Sequence, residues 1–522
     1  MADNKRATIT RREFIVRVAQ LGGSAYGAML ALGLLNSTPA QAFTLSGQVE
    51  GTRIIILGAG LAGMCAAYEL GKLGYDCHIL EARARAGGRC WTVRQDTTEI
   101  EIDGKEQVAT FDKDLYFNPG PARIPHHHHT TLNYCKEFGL AVEVFTNVND
   151  AAYYYNEDAG PLSNRKVRIR EAKADMRGYV SELLVKAIHQ DELDLPLSAT
   201  DKERMIEFLR TEGNLSPDLL YQGSDRRGYV TLPGAGLQAG TLDDPYDLSA
   251  LLEAGFANNF NLEYVFDQQM TMFQIVGGTD QLAQAFERRA GERIQYEAEV
   301  KEIRKTAQGV SIVYADKSDQ LQQIEGDFCI CTIPLSVLRN IPSDFSTKMQ
   351  IAIRSIDYIP TGKMGLQFSR RFWEEDEQIF GGITRTNMNI TQIWYPSWGY
   401  LSQKGILLGY YHYGDNALEL GNLSPAAREA RTLAEGRKIH PQYDDTFETS
   451  FSVAWHKIKY SLGGWAFYFP DTREQYYSTL TQPDGAIYLA GEHISYLNGW
   501  MAGALESARQ VVAAIHERVL NK

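Results

Sequence analysis

The sequence predicts an α/β protein of mixed helices and strands, organised on a parallel sheet that opens near residue 51. Three observations carry this. The stretch TRIIILGAGLAGMCAAYELGKLGYDCHILEA reads as strand, glycine turn, helix and second strand in immediate succession. The composition is globular, with 44% hydrophobic and 22% charged residues. The length of 522 residues is enough for several domains or one large multi-lobed chain.

The first strand, Ile54 to Leu57, is apolar at every position, as a parallel strand covered on both faces requires. Gly58, Gly60 and Gly63 then fit G-x-G-x-x-G at the strand-to-helix turn. The first glycine lets the chain turn, and the second lets backbone N–H groups approach a pyrophosphate. The third lets helix and strand pack closely. The helix N-terminus adds a partial positive charge. The second strand ends in Glu81, placed to accept hydrogen bonds from an adenosine ribose. A carboxylate there repels a 2′-phosphate, which disfavours NADP; these residues alone leave NAD and FAD open.

The N-terminus is a different object. Arg11 and Arg12 precede Phe14 and a charge-free run from Val18 to Val49, within which Ala40-Gln41-Ala42 forms an A-x-A processing site. This pattern is that of a twin-arginine export signal over residues 1–42, so the mature chain is expected to be periplasmic or secreted. Gln20, Gly22, Gly23, Ser24 and Gly27 dilute the run too far for a membrane anchor. A net charge of −13 argues against nucleic acid as a partner. The six cysteines contain no C-x-x-C pair, and no metal site is expected from them. Cys329 and Cys331 alternate along FCICTIP and read as small hydrophobes on one face of a strand.

The residues after Glu81 decide the cofactor. EARARAGGRCWT brings Ala82, Arg85 and Gly87-Gly88-Arg89, and later segments follow in order. Val276-Gly277-Gly278 forms a turn before a helix, and IQYEAEVKEIRKTAQGVSIVYAD reads as two antiparallel strands. DFCICTIPLSVL reads as a buried strand, and AIYLAGEHISYLNGWMAGALESARQVVAAI as a strand, a loop and a long helix. In this order the chain resembles the flavin-containing amine oxidase family, and within it the bacterial, twin-arginine exported L-amino acid oxidases. The resemblance covers most of residues 51 to 522 and is weakest between about 151 and 262.

What the resemblance implies is specific. FAD is expected non-covalently, held by Gly58, Gly60, Gly63, Glu81, Ala82, Arg85, Arg89, Gly120, Arg123, Val300, Glu492, Trp500 and Met501. The residue where monoamine oxidases attach flavin through a cysteine is Trp465. The FAD-binding domain is expected over 51–100, 272–345 and 483–522. A mixed-sheet substrate domain is expected over 101–150 and 346–482, with a helical lobe over 151–271. Within that lobe 174–188 and 201–209 read as helices, and 228–240 as a loop that gates entry.

The run GPARIPHHHH matches the G-P-x-R-[LI]-P motif whose arginine grips the substrate carboxylate, here Arg123. Guanidinium suits that role, being planar, permanently charged and bidentate. Tyr411 in GILLGYYHYGDNA is the matching second ligand, with the register open by one residue. Lys363 matches a lysine that holds water beside the flavin. Gly499 and Trp500 match a pair that receives the amine and walls the pocket. Trp465 and Phe266 add an aromatic lining that suits hydrophobic or aromatic side chains, whereas Glu263 or Asp267 at the pocket would select cationic ones. His126 to His129 read as a helix start at the entrance, with no partner carboxylate evident. The expected partners are an L-amino acid and O₂, and a homodimer is compatible with the reading. The alternatives left open are a monoamine or polyamine oxidase, a decarboxylating monooxygenase, and a non-catalytic FAD-binding protein.

Overall fold

Three glycines and a run of four apolar residues set the first layer. In the computed structural model, which describes residues 43–193 and 197–521, the strand Arg53–Leu57 lies at the centre of a five-stranded parallel sheet. The spatial order is Ile487–Leu489, Phe328–Cys331, Arg53–Leu57, Asp76–Leu80, Ile294–Gln295. Ile54 to Leu57 are fully buried because both faces are covered: Ile54 and Ile56 pack among helices, and Ile55 and Leu57 among residues 298–312 and 335–353. One face carries the helix Leu61–Lys72, which packs on the C-terminal helix Met501–Leu520 and on Asp280–Ala290. Cys329 and Cys331 face the same way and are buried without a disulfide. The export signal expected over 1–42 lies outside the described residues.

The stretch read as two antiparallel strands divides into more. Ile294–Gln295 joins the parallel sheet, and Glu297 turns the chain with φ 54°. Glu299–Lys305 then pairs with Val310–Ala315, and a third strand, Leu321–Gly326, completes the meander. That third strand is mostly exposed, so it carries no apolar alternation to announce it.

The second layer is a seven-stranded sheet in the order Phe447–Ala454, Thr361–Phe368, Gly405–Tyr413, Gln392–Trp394, Ile383–Thr386, Tyr153–Tyr155, Val167–Arg168. All pairings are antiparallel except that of Ile383–Thr386 with Tyr153–Tyr155. The sheet therefore extends into the region expected to be helical from 151. The helical lobe begins at Ile169, with Ile169–His189 packed on Ala199–Glu212. A buried ion pair, Arg227 to Asp175 at 2.7 Å, ties the following loop to this lobe. Among the described residues, no helix is long and apolar enough to cross a membrane.

Candidate active site

A cavity of about 720 Å³ runs between the two sheets, from the glycine turn to the inner face of the large sheet. At its first end the three glycines divide the work as their spacing requires. Gly58 adopts φ +102°, and a Cβ there would sit 2.8 Å from Thr332 Oγ1. A Cβ on Gly63 would lie 2.0 Å from the Gly58 carbonyl oxygen, so only glycine lets this helix seat against the strand end. A Cβ on Gly60 would meet nothing, so bare backbone faces open space beside the first turn of the Leu61–Lys72 helix. The unpaired N–H groups of that turn point toward the cavity end where a phosphate fits. Glu81 is buried beside it, its carboxylate accepting the backbone N–H groups of Ala59 at 2.7 Å and Arg83 at 2.9 Å. Ala82 and Val300 continue the wall.

The Gly87-Gly88-Arg89 loop forms the middle. Arg89 lines the cavity and donates to Glu492 Oε1 at 2.8 Å and to the Gly464 carbonyl at 2.9 Å. Glu492 is a hub: its oxygens also accept the N–H groups of Ala466 and Gly499. Arg85 differs from expectation. It is absent from the wall, stacks on Trp91 at 4.5 Å and donates to the carbonyls of Gly88 and Ala86. It shapes the glycine loop from behind instead of facing a ligand.

At the far end the sheet delivers the chemistry. Lys363 and Tyr411 are register partners on adjacent antiparallel strands, so both side chains share one face. Tyr410, on the opposite face, is buried in the core, and Tyr413 is largely exposed, so of the three tyrosines it is Tyr411 that lines the cavity. Arg123 enters from the Pro121–Pro125 loop and lies over the Trp394 ring at 4.5 Å. Its Nη1 donates to Asn147 Oδ1. Lys363 Nζ donates to the Gly120 carbonyl at 2.6 Å and sits 4.7 Å from the Tyr411 ring. Gly120 itself is fixed by backbone contact, since a Cβ there would lie 2.0 Å from the Arg89 carbonyl oxygen.

Two cations thus face one chamber, and among the described residues neither makes an ion pair with a carboxylate. The electrostatics reflect this. Burial, reinforced by Arg123, pulls the Lys363 pKa down to about 7. Burial likewise lowers Arg123 to about 10 and raises Tyr411 to about 12. Trp465, Gly499, Trp500 and Met501 close the chamber; Gly499 has φ +78°, and Trp500 precedes the C-terminal helix.

Phe266, expected in the lining, is instead 74% exposed and packs on the His127 ring at 4.3 Å. Gln268, two residues on, occupies the wall. No residue of the 228–240 loop lines the cavity, so the structure gives it no gating contact. Asp267 is also outside the wall. Sequence reasoning missed Trp394, Trp455 and Asn147. Trp455 donates its Nε1 proton to the Pro119 carbonyl at 2.9 Å and holds the arginine loop. Asn147 carries no sequence signal, because only the fold brings it to Arg123. Asn147→Leu removes a hydrogen bond to a charged group, a loss of roughly 1.5 kcal/mol. We expect the affinity of the chamber for a small carboxylate ligand to fall about tenfold, measured as the Kd of a bound carboxylate by calorimetric titration.

A glycine cradle at one end, an acid beside it, and a cation-and-aromatic chamber at the other suit a long dinucleotide cofactor and a small anionic substrate. Residues 61–516 match the model of the flavin containing amine oxidoreductases, and the chain belongs to that family. A putative L-amino-acid oxidase of Bacillus subtilis (strain 168) is 29% identical over 90% of this chain and 96% of its own length. An L-amino-acid oxidase of Gloydius halys is 28% identical over 87% of each chain. Cyclohexylamine oxidase from Brevibacterium oxydans IH-35A shares the fold, with a TM-score of 0.60 at 18% identity over 90% of this chain and 99% of its own. Putrescine oxidase bound to putrescine gives a TM-score of 0.58 at 17% identity, over 90% of this chain and 100% of its own.

Proposed function

We propose that this chain is an FAD-dependent L-amino acid oxidase. It would convert L-amino acids, O₂ and water to 2-oxo acids, ammonia and H₂O₂. The observation that carries the reading is Arg123, a guanidinium facing the chamber that pairs with no carboxylate among the described residues. An enzyme for simple amines has no use for that charge, whereas an α-carboxylate satisfies it bidentately.

The flavin family and the Gly60 opening together support FAD, with Glu81 at the ribose and Glu492 with Arg89 at the middle of the cofactor. Trp465 leaves no cysteine for a covalent link at that position, which supports non-covalent binding. When bound, the flavin supplies the hydride acceptor and the site of reoxidation by O₂. Arg123 and Tyr411 fix the substrate carboxylate, and Gly499 receives the amine through its carbonyl. Orientation by these groups lowers the entropy cost of the reaction. Trp394, Trp465 and Trp500 offer aromatic walls for an apolar side chain. The acids of the cavity wall, Glu81, Glu299 and Glu492, are tied to backbone N–H groups or to Lys301, Lys459 and Arg89. Among the described residues of the wall, a lysine or arginine substrate therefore meets no unpaired acid. The Arg11-Arg12 segment extends the proposal to export of the mature protein.

Lys363 takes the proton that the substrate ammonium must lose. It is neutral above about pH 7 and can then accept one. kcat/KM should therefore rise with pH through about 7. Lys363→Met should remove that limb and lower kcat/KM about a hundredfold, which a pH profile of initial rates checks. Product analysis tests the reaction itself. A 2-oxo acid with stoichiometric ammonia and peroxide is expected; an amide with CO₂ would identify a decarboxylating monooxygenase and overturn the proposal.

A further inference from the structure

The histidine run at the chamber's edge is not idle. The fold brings Asp267, from the loop before the strand Thr271–Ile275, onto two of its four rings. His127 Nε2 lies 2.7 Å from Asp267 Oδ1, and His128 Nε2 lies 3.6 Å from the same oxygen. One ligand atom from each of the three residues fits within a span of 4.8 Å. From these contacts we infer a site for a divalent transition-metal ion of the zinc type, built by His127, His128 and Asp267.

The second observation is His128 itself. It is 3% exposed, yet its Nε2 has no hydrogen-bond partner, since 3.6 Å is too long for one. A buried imidazole nitrogen without a partner is destabilising, and a metal bond removes that cost. The His128 ring is fixed by edge-on contact with Trp500 at 5.0 Å. Phe266 covers the His127 ring, which accounts for an aromatic residue at that exposed position.

Two imidazoles and one carboxylate favour zinc-like ions over calcium or magnesium, which prefer oxygen alone. Metal bonds of about 2.0–2.1 Å place tetrahedral ligands roughly 3.4 Å apart. The His128 spacing already fits, and the His127–Asp267 pair must open slightly. Occupation also moves the His127 proton from Nε2 to Nδ1. There the Gln269 amide, 2.9 Å away, must turn its oxygen to accept it. Three protein ligands leave the fourth position to water. The site lies one residue from Gln268 in the cavity wall and directly behind Trp500, so an ion there would staple the 265–270 loop to the chamber.

The test is calorimetric titration of tag-free holoprotein with Zn²⁺. One equivalent should bind with Kd in the micromolar range or tighter. Asp267→Asn and His128→Asn should each weaken binding at least tenfold, while an unchanged flavin spectrum reports an intact fold. His126→Asn combined with His129→Asn alters the two exposed rings of the run and should leave binding unchanged. Absence of Zn²⁺ uptake by the parent protein overturns the inference. So does an Asp267→Asn variant that binds as tightly as the parent, or loss of binding in the His126/His129 variant, which would mean the run binds metal merely as a string of surface histidines.

Discussion

Arg123→Ala should lower kcat/KM for L-amino acids about a thousandfold, roughly 4 kcal/mol, while the flavin stays bound. The size follows from the surroundings. Arg123 contacts Asn147 and the Trp394 face, and neither supplies a negative charge. Removing it leaves no orphaned protein carboxylate, so the fold should survive, and the loss falls on the substrate. Arg123→Lys keeps the charge but not the fork, and should recover only part of the rate. A second readout separates this from general damage. Arg123 is one of the two causes that depress the Lys363 pKa, so its removal should move the limb near pH 7 upward. An alanine variant with an unchanged pH profile and undiminished activity would place the carboxylate elsewhere.

Glu492→Ala should be the most damaging change to the fold around the cofactor. Glu492 is 5% exposed, and its carboxylate pairs with the half-buried Arg89 at 2.8 Å and accepts the N–H groups of Ala466 and Gly499. Alanine leaves the Arg89 guanidinium without a counter-charge, holding only the Gly464 carbonyl, and takes the acceptor from two N–H donors. Breaking a buried pair on one side costs about 3–5 kcal/mol. Three segments distant in sequence meet at this residue, so the loss spreads to the glycine loop and the chamber wall together. We expect a lower Tm and a flavin-to-protein ratio well below one. Glu492→Gln keeps an acceptor for the N–H groups and should be the milder of the two, as thermal unfolding with flavin quantitation will show.

How much of this was legible depends on the range of the interactions. The Ile54–Leu57 strand, its glycines and Glu81 are local, and their roles follow from spacing and steric need. Tyr411 was readable to within one residue, and the two-residue period of a strand together with its pairing to Lys363 puts its side chain on the cavity face. Tyr153–Tyr155 lies inside a region read as helical, because three successive buried tyrosines show no alternation. Phe266 was misplaced because a loop has no period to say which of two neighbours turns inward. Asp267 stands 140 residues from His127 in the chain, and nothing short of the fold announces their contact. Arg85 matched a motif that specifies its position but not whether its side chain faces the ligand or the loop that holds it.

The central claim is that Arg123 selects a carboxylated L-substrate for a flavin in this cavity. The most direct measurement is the anaerobic visible spectrum of the purified holoprotein before and after addition of L-amino acids, D-amino acids and simple amines. Rapid bleaching of the flavin band by apolar or aromatic L-amino acids, with none by their D-enantiomers or by amines lacking the carboxylate, is the expected result. Bleaching by simple amines with an intact band under every L-amino acid would contradict it.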